Sequence, residues 1–224
     1  MMEARLERIR RAETLQYLSY HGSFLPGEIR ADLDRCETQM LQTARPRLVW
    51  RMFSLLPDGS LAGTDYRPGG EDVHAFLQDC DSVVLMAATL GAEAERLIRR
   101  ASARNMADAV ILDAAGSAAI EMVCDNFCED LSKTAAPRFL TDRFSPGYGD
   151  MPLDDQKAFF RLLDVSRRIG VNLSASGLMI PQKSVTALIG ISDRIQPKRE
   201  RGCAECGNYE NCAYRKEGKN CGSF

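Results

Sequence analysis

The sequence has no apolar run long enough to cross a bilayer, and its charges are nearly balanced. Its most apolar stretches, 83–90 and 178–191, are short or broken by Gly, Pro, Lys and Ser, whereas a membrane-spanning helix needs about 20 predominantly apolar residues. The formal net charge is −2, so no overall positive field attracts nucleic acid or an anionic membrane. The charged N-terminus lacks the apolar core of a secretory signal. We therefore expect a cytoplasmic protein that has neither nucleic-acid nor membrane partners.

Common phosphate-binding motifs are also missing. The sequence contains no G-x-G-x-x-G and no G-x-x-x-x-G-K followed by Ser or Thr, so nothing indicates a nucleotide phosphate site. No internal repeat or low-complexity tract is present. What remains is a chain of 224 residues that is 45% hydrophobic and 27% charged. This is sufficient for one sizeable core with a small appendage.

Cysteine is unevenly distributed along the chain. Of the eight cysteines, four lie in the last 22 residues with the spacing Cys203-x2-Cys206-x5-Cys212-x8-Cys221. Four thiolates within one short segment are typical ligands of zinc or an iron–sulfur cluster, although a tail with free thiols has the same composition. We place a boundary near Pro197, which gives a body of residues 1–197 and a Cys-rich, metal-binding tail of residues 198–224.

Hydrophobic periodicity predicts helices and strands that do not alternate as regular βαβ units. Helices are expected over 3–20, 26–43, 72–79, 92–105, 106–132 and 153–169, and strands over 48–56, 61–66, 82–90, 171–179 and 185–191. Several of these strands are close neighbours in sequence. The pattern favours an α+β fold with a mixed or antiparallel sheet flanked by long helices.

The segment RFSPGYGDMP, residues 143–152, is the most unusual in the body of the chain. Pro146 fixes its own φ, and Gly147 accepts conformations that other residues avoid. Arg143 can bind a carboxylate through two hydrogen bonds, and Tyr148 can stack on a flat ring. By chemistry alone the segment is either an ordinary rigid loop or a site for an amino-acid nucleoside.

A family resemblance favours the second interpretation. Residues 143–148, RFSPGY, resemble the R-x-x-P-G-Y motif of the activation domain of cobalamin-dependent methionine synthase. Neighbouring segments resemble that family in the same order: VVLMAATLGAEAE, DAAGSAAIEMVCD, and I-G-V-N-L-S-A-S followed by P-Q-K-S-V. The resemblance covers residues 80–192. The family's N-terminal ligand-binding acid and the aromatic residue after its final strand have no counterpart in the sequence.

The resemblance implies that the chain binds S-adenosylmethionine and supports reductive remethylation of cob(II)alamin. Arg143 would bind the methionine carboxylate, the backbone of Ser145, Pro146 and Gly147 would lie against the ligand, and Tyr148 would line the pocket. Glu121 would face the ammonium or sulfonium group. The implied partners are a cobalamin-binding methionine synthase or another corrinoid protein, and a flavodoxin-like reductant.

The chain itself has no D-x-H-x-x-G cobalamin signature. We therefore expect a free-standing activation subunit that acts in trans and contains no catalytic residue of its own. Two alternatives stay open at this stage. One is a metal-cluster electron-transfer protein for corrinoids, which the cysteine tail favours because reactivation needs an electron, and the other is an adaptor that only docks on a corrinoid protein.

Overall fold

Four antiparallel strands form the central sheet of the computed structural model, which describes residues 3–20 and 24–195. The strands are β1 Arg47–Ser54, β2 Ser82–Thr89, β3 Phe139–Leu140 and β6 Ser184–Ser192, in the order β1-β2-β6-β3. A separate hairpin consists of β4 Asn172–Leu173 and β5 Met179–Ile180. The helices are α1 Arg11–Tyr17, α2 Gly27–Thr43, α3 Glu71–Leu77, α4 Ala92–Ser102, α5 Met106–Ala135, α6 Gln156–Leu163 and α7 Val165–Ile169, with a 3-10 turn Leu153–Asp155 before α6. The predicted α+β class is confirmed, and the central sheet is antiparallel throughout.

Strand β2 is apolar on both faces because helices cover both sides of the sheet. Val83, Leu85 and Ala87 pack in one apolar cluster with α3, α6 and α7, whereas Val84 and Met86 pack in another with α2, α4 and α5. Alternate side chains of a strand point to opposite faces, so a strand between two helical layers has no polar face. The molecule therefore has three layers, with one core on each side of the sheet.

Helix α5 is the longest element described, and 14 of its 30 residues are buried. Asn105 caps its N-terminus by accepting a hydrogen bond from the N–H of Ala107 at 3.0 Å. Small side chains in its middle turns allow close packing. At Gly116 an added Cβ would lie 3.2 Å from Cε of Lys183 and 3.4 Å from Cε of Met40. The helix thus packs on the face of the sheet formed by β2, β6 and β3.

Four secondary-structure predictions were wrong in extent. The N-terminal helix covers only Arg11–Tyr17, and Leu6 and Ile9 pack on the core from non-helical backbone before it. Residues 61–66 form turns with one bridge, Leu55 to Leu61, rather than a strand. Residues 153–169 break into a 3-10 turn and two helices, because Asp164 adopts a left-handed φ of +52°. Residues 171–179 contain only short β4 and the start of β5, since they turn back as a hairpin.

Candidate ligand-binding site

The segment that follows β3 lies along β6 and is fixed there by backbone hydrogen bonds. The N–H of Phe144 donates to the carbonyl of Leu188 at 3.0 Å, and the N–H of Leu188 donates back at 2.8 Å. The Phe144 side chain packs in the cluster that contains α6. Because successive side chains of extended backbone point to opposite faces, Arg143 is directed toward α5.

Beyond Phe144 the chain closes into a tight turn. The N–H of Tyr148 donates to the carbonyl of Ser145, and the N–H of Gly147 donates to the carbonyl of Met151, both at 3.0 Å. Gly147 has a φ of +90°, a left-handed conformation that a residue with a Cβ rarely adopts. The buried Pro146 precedes it. The turn is therefore rigid, and it leaves the Tyr148 side chain 54% exposed.

Arg143 lies between two carboxylates of α5. Its Nη2 is 2.6 Å from Oε2 of Glu121, and its Nη1 is 2.6 Å from Oδ1 of Asp125. Nη1 also approaches Sγ of Cys128 at 3.7 Å. Glu121 and Asp125 are four residues apart and so share one face of the helix. The guanidinium is fixed in position, with the Arg143 side chain 16% exposed.

The N-terminal helix contributes a second cation and a third carboxyl group. Nη2 of Arg10 donates to Oδ2 of Asp125, and Nε of Arg10 lies 2.8 Å from Oε1 of Glu13. The other oxygen of Glu13, Oε2, is buried and has no hydrogen-bond partner among the described residues. These two residues join Glu121, Asp125 and Arg143 to form a group that we call the α5 cluster.

Burial and mutual charge shift the ionisation of this cluster. Burial raises the pKa of Glu13, and the carboxylates of Asp125 and Glu121 raise it further against the opposing effect of Arg10 and Arg143. Burial also disfavours ionisation of Asp125, but Arg143 and Arg10 outweigh it and lower the pKa of that carboxyl. For Arg143, burial opposes the charge, yet the surrounding thiols and carboxyl groups raise the pKa above its usual value. Arg143 therefore stays charged, and the ionised form of Glu13 is less favoured than that of a free glutamate.

With all its groups ionised, the α5 cluster holds three negative and two positive charges, a sum of −1. Arg143 has five N–H donors, and its bonds to Glu121, Asp125 and Cys128 leave two without a partner among the described residues. The site can therefore accept a carboxylate at Arg143 while its acids attract a cation. An α-amino acid with an additional positive charge matches this arrangement.

Comparison with known families gives a direct match over slightly more than half of the chain. The model of the vitamin B12-dependent methionine synthase activation domain matches residues 78–196. The chain belongs to this family. The matched region contains the 143–152 segment and all of α5, so the α5 cluster lies mostly within it. The predicted family membership is confirmed, and Arg10 and Glu13 come from outside the matched region.

A solved structure supports the fold of the whole chain. The crystal structure of the MetH reactivation domain bound to AdoHcy aligns with a TM-score of 0.58 at 16% identity, covering 98% of this chain and 86% of that chain. At this identity the likeness shows the fold. No curated protein matches the sequence.

The predicted site residues of this activation domain fall into two groups. Arg143 and Glu121 form an ion pair in the α5 cluster. Pro146 is buried in the turn with Ser145 half-buried beside it, and Gly147 and Tyr148 are exposed at the outer end of the turn. The ring of Tyr148 lies 6.3 Å from that of Phe144. The metal ligands predicted at Cys203, Cys206, Cys212 and Cys221 lie outside the described residues.

Three members of the α5 cluster were missed by the sequence analysis. Asp125 could have been found, because it lies one helical turn after Glu121 in the same motif-bearing segment. Arg10 and Glu13 have no sequence signal, since they meet α5 only through tertiary packing. Lys183 and Ser184, which belong to the P-Q-K-S-V stretch of the family resemblance, both make bonds within the chain. Lys183 pairs with Asp113 at 2.9 Å, and the hydroxyl of Ser184 donates to Thr89 and Pro181.

Other features of the described chain do not add to the site. A groove of about 360 Å³ lies between α1, α4 and the first turns of α5, and none of the predicted site residues lines it. Within residues 3–20 and 24–195, no group of three His, Cys, Asp or Glu side chains is arranged to hold a metal ion. No helix in the same ranges has the length and apolar character needed to cross a membrane.

Proposed function

We propose that this activation domain binds S-adenosylmethionine at the α5 cluster and supplies its methyl group to a reduced corrinoid carried by another protein. The observation that carries the proposal is the position of Arg143. Its guanidinium is fixed between Glu121 and Asp125 at 2.6 Å from each, with N–H donors left over for a carboxylate. The family membership and the AdoHcy-bound MetH reactivation domain support the same ligand.

Charge balance favours this ligand over its demethylated product. S-adenosylmethionine has a carboxylate, an ammonium and a sulfonium group, so its net charge is +1. The α5 cluster has a net charge of −1 when ionised, and the complex is then neutral. The product, S-adenosylhomocysteine, has lost the sulfonium charge and leaves the cluster uncompensated. Glu13 and Asp125 supply the acidic groups for which the sequence itself offered no assignment.

In the proposed reaction, one electron from a flavodoxin-like donor reduces the partner's cob(II)alamin to cob(I)alamin. The reduced cobalt then attacks the methyl carbon of the sulfonium group. The carbon–sulfur bond breaks, its electron pair stays on sulfur, and the products are methylcobalamin and S-adenosylhomocysteine. The residues of this chain bind and orient the methyl donor, and the reactivity belongs to the corrinoid.

Isothermal titration with S-adenosylmethionine tests the binding step. We expect Arg143→Ala to weaken binding by about tenfold or more, because a charge-assisted hydrogen bond contributes roughly 1.5–3 kcal/mol. Arg143→Lys keeps the positive charge but cannot form two parallel hydrogen bonds to a carboxylate, so we expect a smaller loss of affinity than for Arg143→Ala. Arg161→Ala, which removes an exposed partner of Asp65, serves as the matched control and should bind normally. Absence of binding by the wild type at millimolar ligand, or unchanged binding by Arg143→Ala, would contradict the proposal.

Methyl transfer needs a separate assay. With methyl-labelled S-adenosylmethionine, a one-electron reductant and a cobalamin-loaded partner, label in methylcobalamin should appear in a one-to-one ratio with S-adenosylhomocysteine. Binding without methyl transfer would contradict the proposed methyl donation and would indicate an adaptor that binds S-adenosylmethionine.

A further inference from the structure

Beside the candidate site, four large apolar side chains are exposed on two adjoining segments. Tyr148 is 54% exposed, Leu153 43%, Leu178 60% and Ile180 51%. The first two belong to the 143–152 segment and the residue after it, and the other two to the β4–β5 hairpin. We call these four residues the hairpin patch.

Leu153 joins the two segments into one surface. A Cβ built on Gly147 would lie 3.6 Å from one methyl of Leu153, and a Cβ built on Gly177 would lie 3.6 Å from the other. The tight turn of the 143–152 segment and the tip of the hairpin therefore both lie close to the Leu153 side chain. The patch is therefore continuous with the turn that contains Tyr148.

The hairpin is ordered by its own hydrogen bonds. The N–H of Ser174 donates to the carbonyl of Leu178 at 2.8 Å, and the N–H of Gly177 donates to the carbonyl of Ser174 at 3.0 Å. The hydroxyl of Ser174 accepts from the N–H of Leu178 at 3.0 Å. Met179 points inward and packs on the core, whereas its neighbours Leu178 and Ile180 point outward. The hairpin thus presents two apolar side chains to solvent from a fixed backbone.

The same stretch is free of charge. Residues 169–182 contain no Asp, Glu, Lys or Arg, in a chain that is 27% charged. Depletion of charge together with exposed aromatic and aliphatic side chains is typical of the central part of a protein interface. A partner recognised mainly by charge does not match this surface.

We propose that the hairpin patch is the surface on which the corrinoid-carrying protein docks, an inference that rests on the proposed function. A methyl acceptor must come within about 3–3.5 Å of the methyl carbon to react. A corrinoid bound to a protein can reach the site only if its carrier covers the rim of the site. Tyr148 is the outer end of the site segment, and the patch continues from it through Leu153 to the uncharged hairpin, so the carrier's contact surface is this largely apolar face.

The test uses the full chain and a methionine synthase fragment that is loaded with cobalamin and lacks its own activation domain. The variant Leu178→Asp/Ile180→Asp places two charges on the patch. Met52→Asp, at a residue 53% exposed on β1, is the matched control. Titration calorimetry measures S-adenosylmethionine binding and fragment binding, and methyl transfer is measured both to the loaded fragment and to free cob(I)alamin.

We expect the hairpin variant to bind the loaded fragment about tenfold or more weakly and to methylate it correspondingly slowly. Its melting temperature, its S-adenosylmethionine affinity and its transfer to free cob(I)alamin should match those of the wild type and of Met52→Asp. Equal fragment affinity for all three proteins would overturn the inference, as would a wild type that does not bind the fragment.

Two further outcomes distinguish failure of the docking proposal from failure of the proposed function. A wild type that binds no S-adenosylmethionine contradicts the proposed function itself. Sedimentation would reveal a second outcome, in which the wild type is a dimer and Leu178→Asp/Ile180→Asp is a monomer. That result would assign the patch to a second copy of the chain and overturn the carrier assignment.

Discussion

At the scale of single residues, the two acids beside Arg143 both orient its guanidinium and compete with a ligand for it. Glu121 and Asp125 fix its orientation before any ligand arrives, so a bound carboxylate gains a preorganised partner. The same two acids compete with that carboxylate for the guanidinium. In the proposed complex, the excess of three acids over two cations favours a ligand with a net positive charge.

Glu13→Gln tests this dependence on charge. One unit charge at roughly 8 Å, in an effective dielectric between about 20 and 80, contributes about 0.5–2 kcal/mol. We expect the variant to lose several-fold of its preference for S-adenosylmethionine over S-adenosylhomocysteine, measured as the ratio of two dissociation constants. Glu7→Gln, an exposed acid of the same N-terminal segment, should keep the wild-type ratio. An equal loss of affinity for both ligands would indicate a packing effect and contradict the charge argument.

The pH dependence of stability tests Asp125. Its folded-state pKa is lowered, because Arg143 and Arg10 outweigh the effect of burial. A carboxyl group with a lowered pKa stabilises the folded state at any pH above its unfolded-state pKa of about 3.9. This stabilisation is lost as the pH falls through the folded-state pKa. The melting temperature of the wild type should therefore exceed that of Asp125→Asn at neutral pH, and the two should converge below about pH 4.

The control for this comparison is Asp154→Asn, which removes an exposed partner of Lys157. Exposed ion pairs contribute little to stability, so its melting temperature should follow the wild type throughout. A gap between wild type and Asp125→Asn that persists unchanged at pH 3 would show that the aspartate acts through shape rather than charge.

At the scale of elements, α5 determines where charged groups can lie. Asp113, Ser117, Glu121 and Asp125 follow one another at intervals of four residues and form a polar stripe on a helix that is otherwise mostly buried. Lys183 binds the first two, at 2.9 and 2.8 Å, and Arg143 binds the last two. The stripe therefore aligns β6 and the 143–152 segment along a single helix.

Gly116 allows this alignment, since Lys183 crosses the helix directly above it. Gly116→Leu should displace Lys183 and Met40 and lower the free energy of unfolding by about 1–3 kcal/mol, as overpacked cores do. Chemical denaturation measures the change. Val110→Leu, at an exposed position of the same helix, should change the free energy of unfolding by less than about 0.5 kcal/mol. A Gly116→Leu protein as stable as the control would mean that Lys183 has room to move aside.

At the scale of the whole molecule, the division into a body of residues 1–197 and a Cys-rich tail of residues 198–224 remains a prediction. The buried residues of both apolar clusters all lie between positions 33 and 191. A chain shortened to residues 1–197 should therefore unfold cooperatively and bind S-adenosylmethionine like the full chain. It should lose any metal that the full chain carries.

Metal, iron and sulfide analysis after anaerobic purification checks this prediction. Iron with equimolar sulfide in the full chain alone would support a cluster at Cys203, Cys206, Cys212 and Cys221, and one zinc per chain would rule out its redox form. Metal retained by the shortened chain would contradict the assignment to the tail.

The sequence was most informative where a pattern repeats locally. Hydrophobic periodicity predicted the strand over 82–90, which is β2, and the helix over 106–132, which is most of α5. Prediction was poorest where the chain reverses direction through its own hydrogen bonds. At 61–66 and at the 172–180 hairpin, apolar residues indicate burial, but burial alone does not distinguish an extended strand from compact turns.

The sequence by itself determined the family, the α+β class and the positions of Arg143 and Glu121, because these depend on order along the chain and on local periodicity. Only the tertiary structure decided what surrounds Arg143. Arg10 and Glu13 lie more than 100 residues from Asp125 in the chain, and the packing of α1 against α5 brings them into one charged cluster. Electrostatic interactions depend on distance in space rather than in sequence, so the charge of the site could be determined only after folding was known.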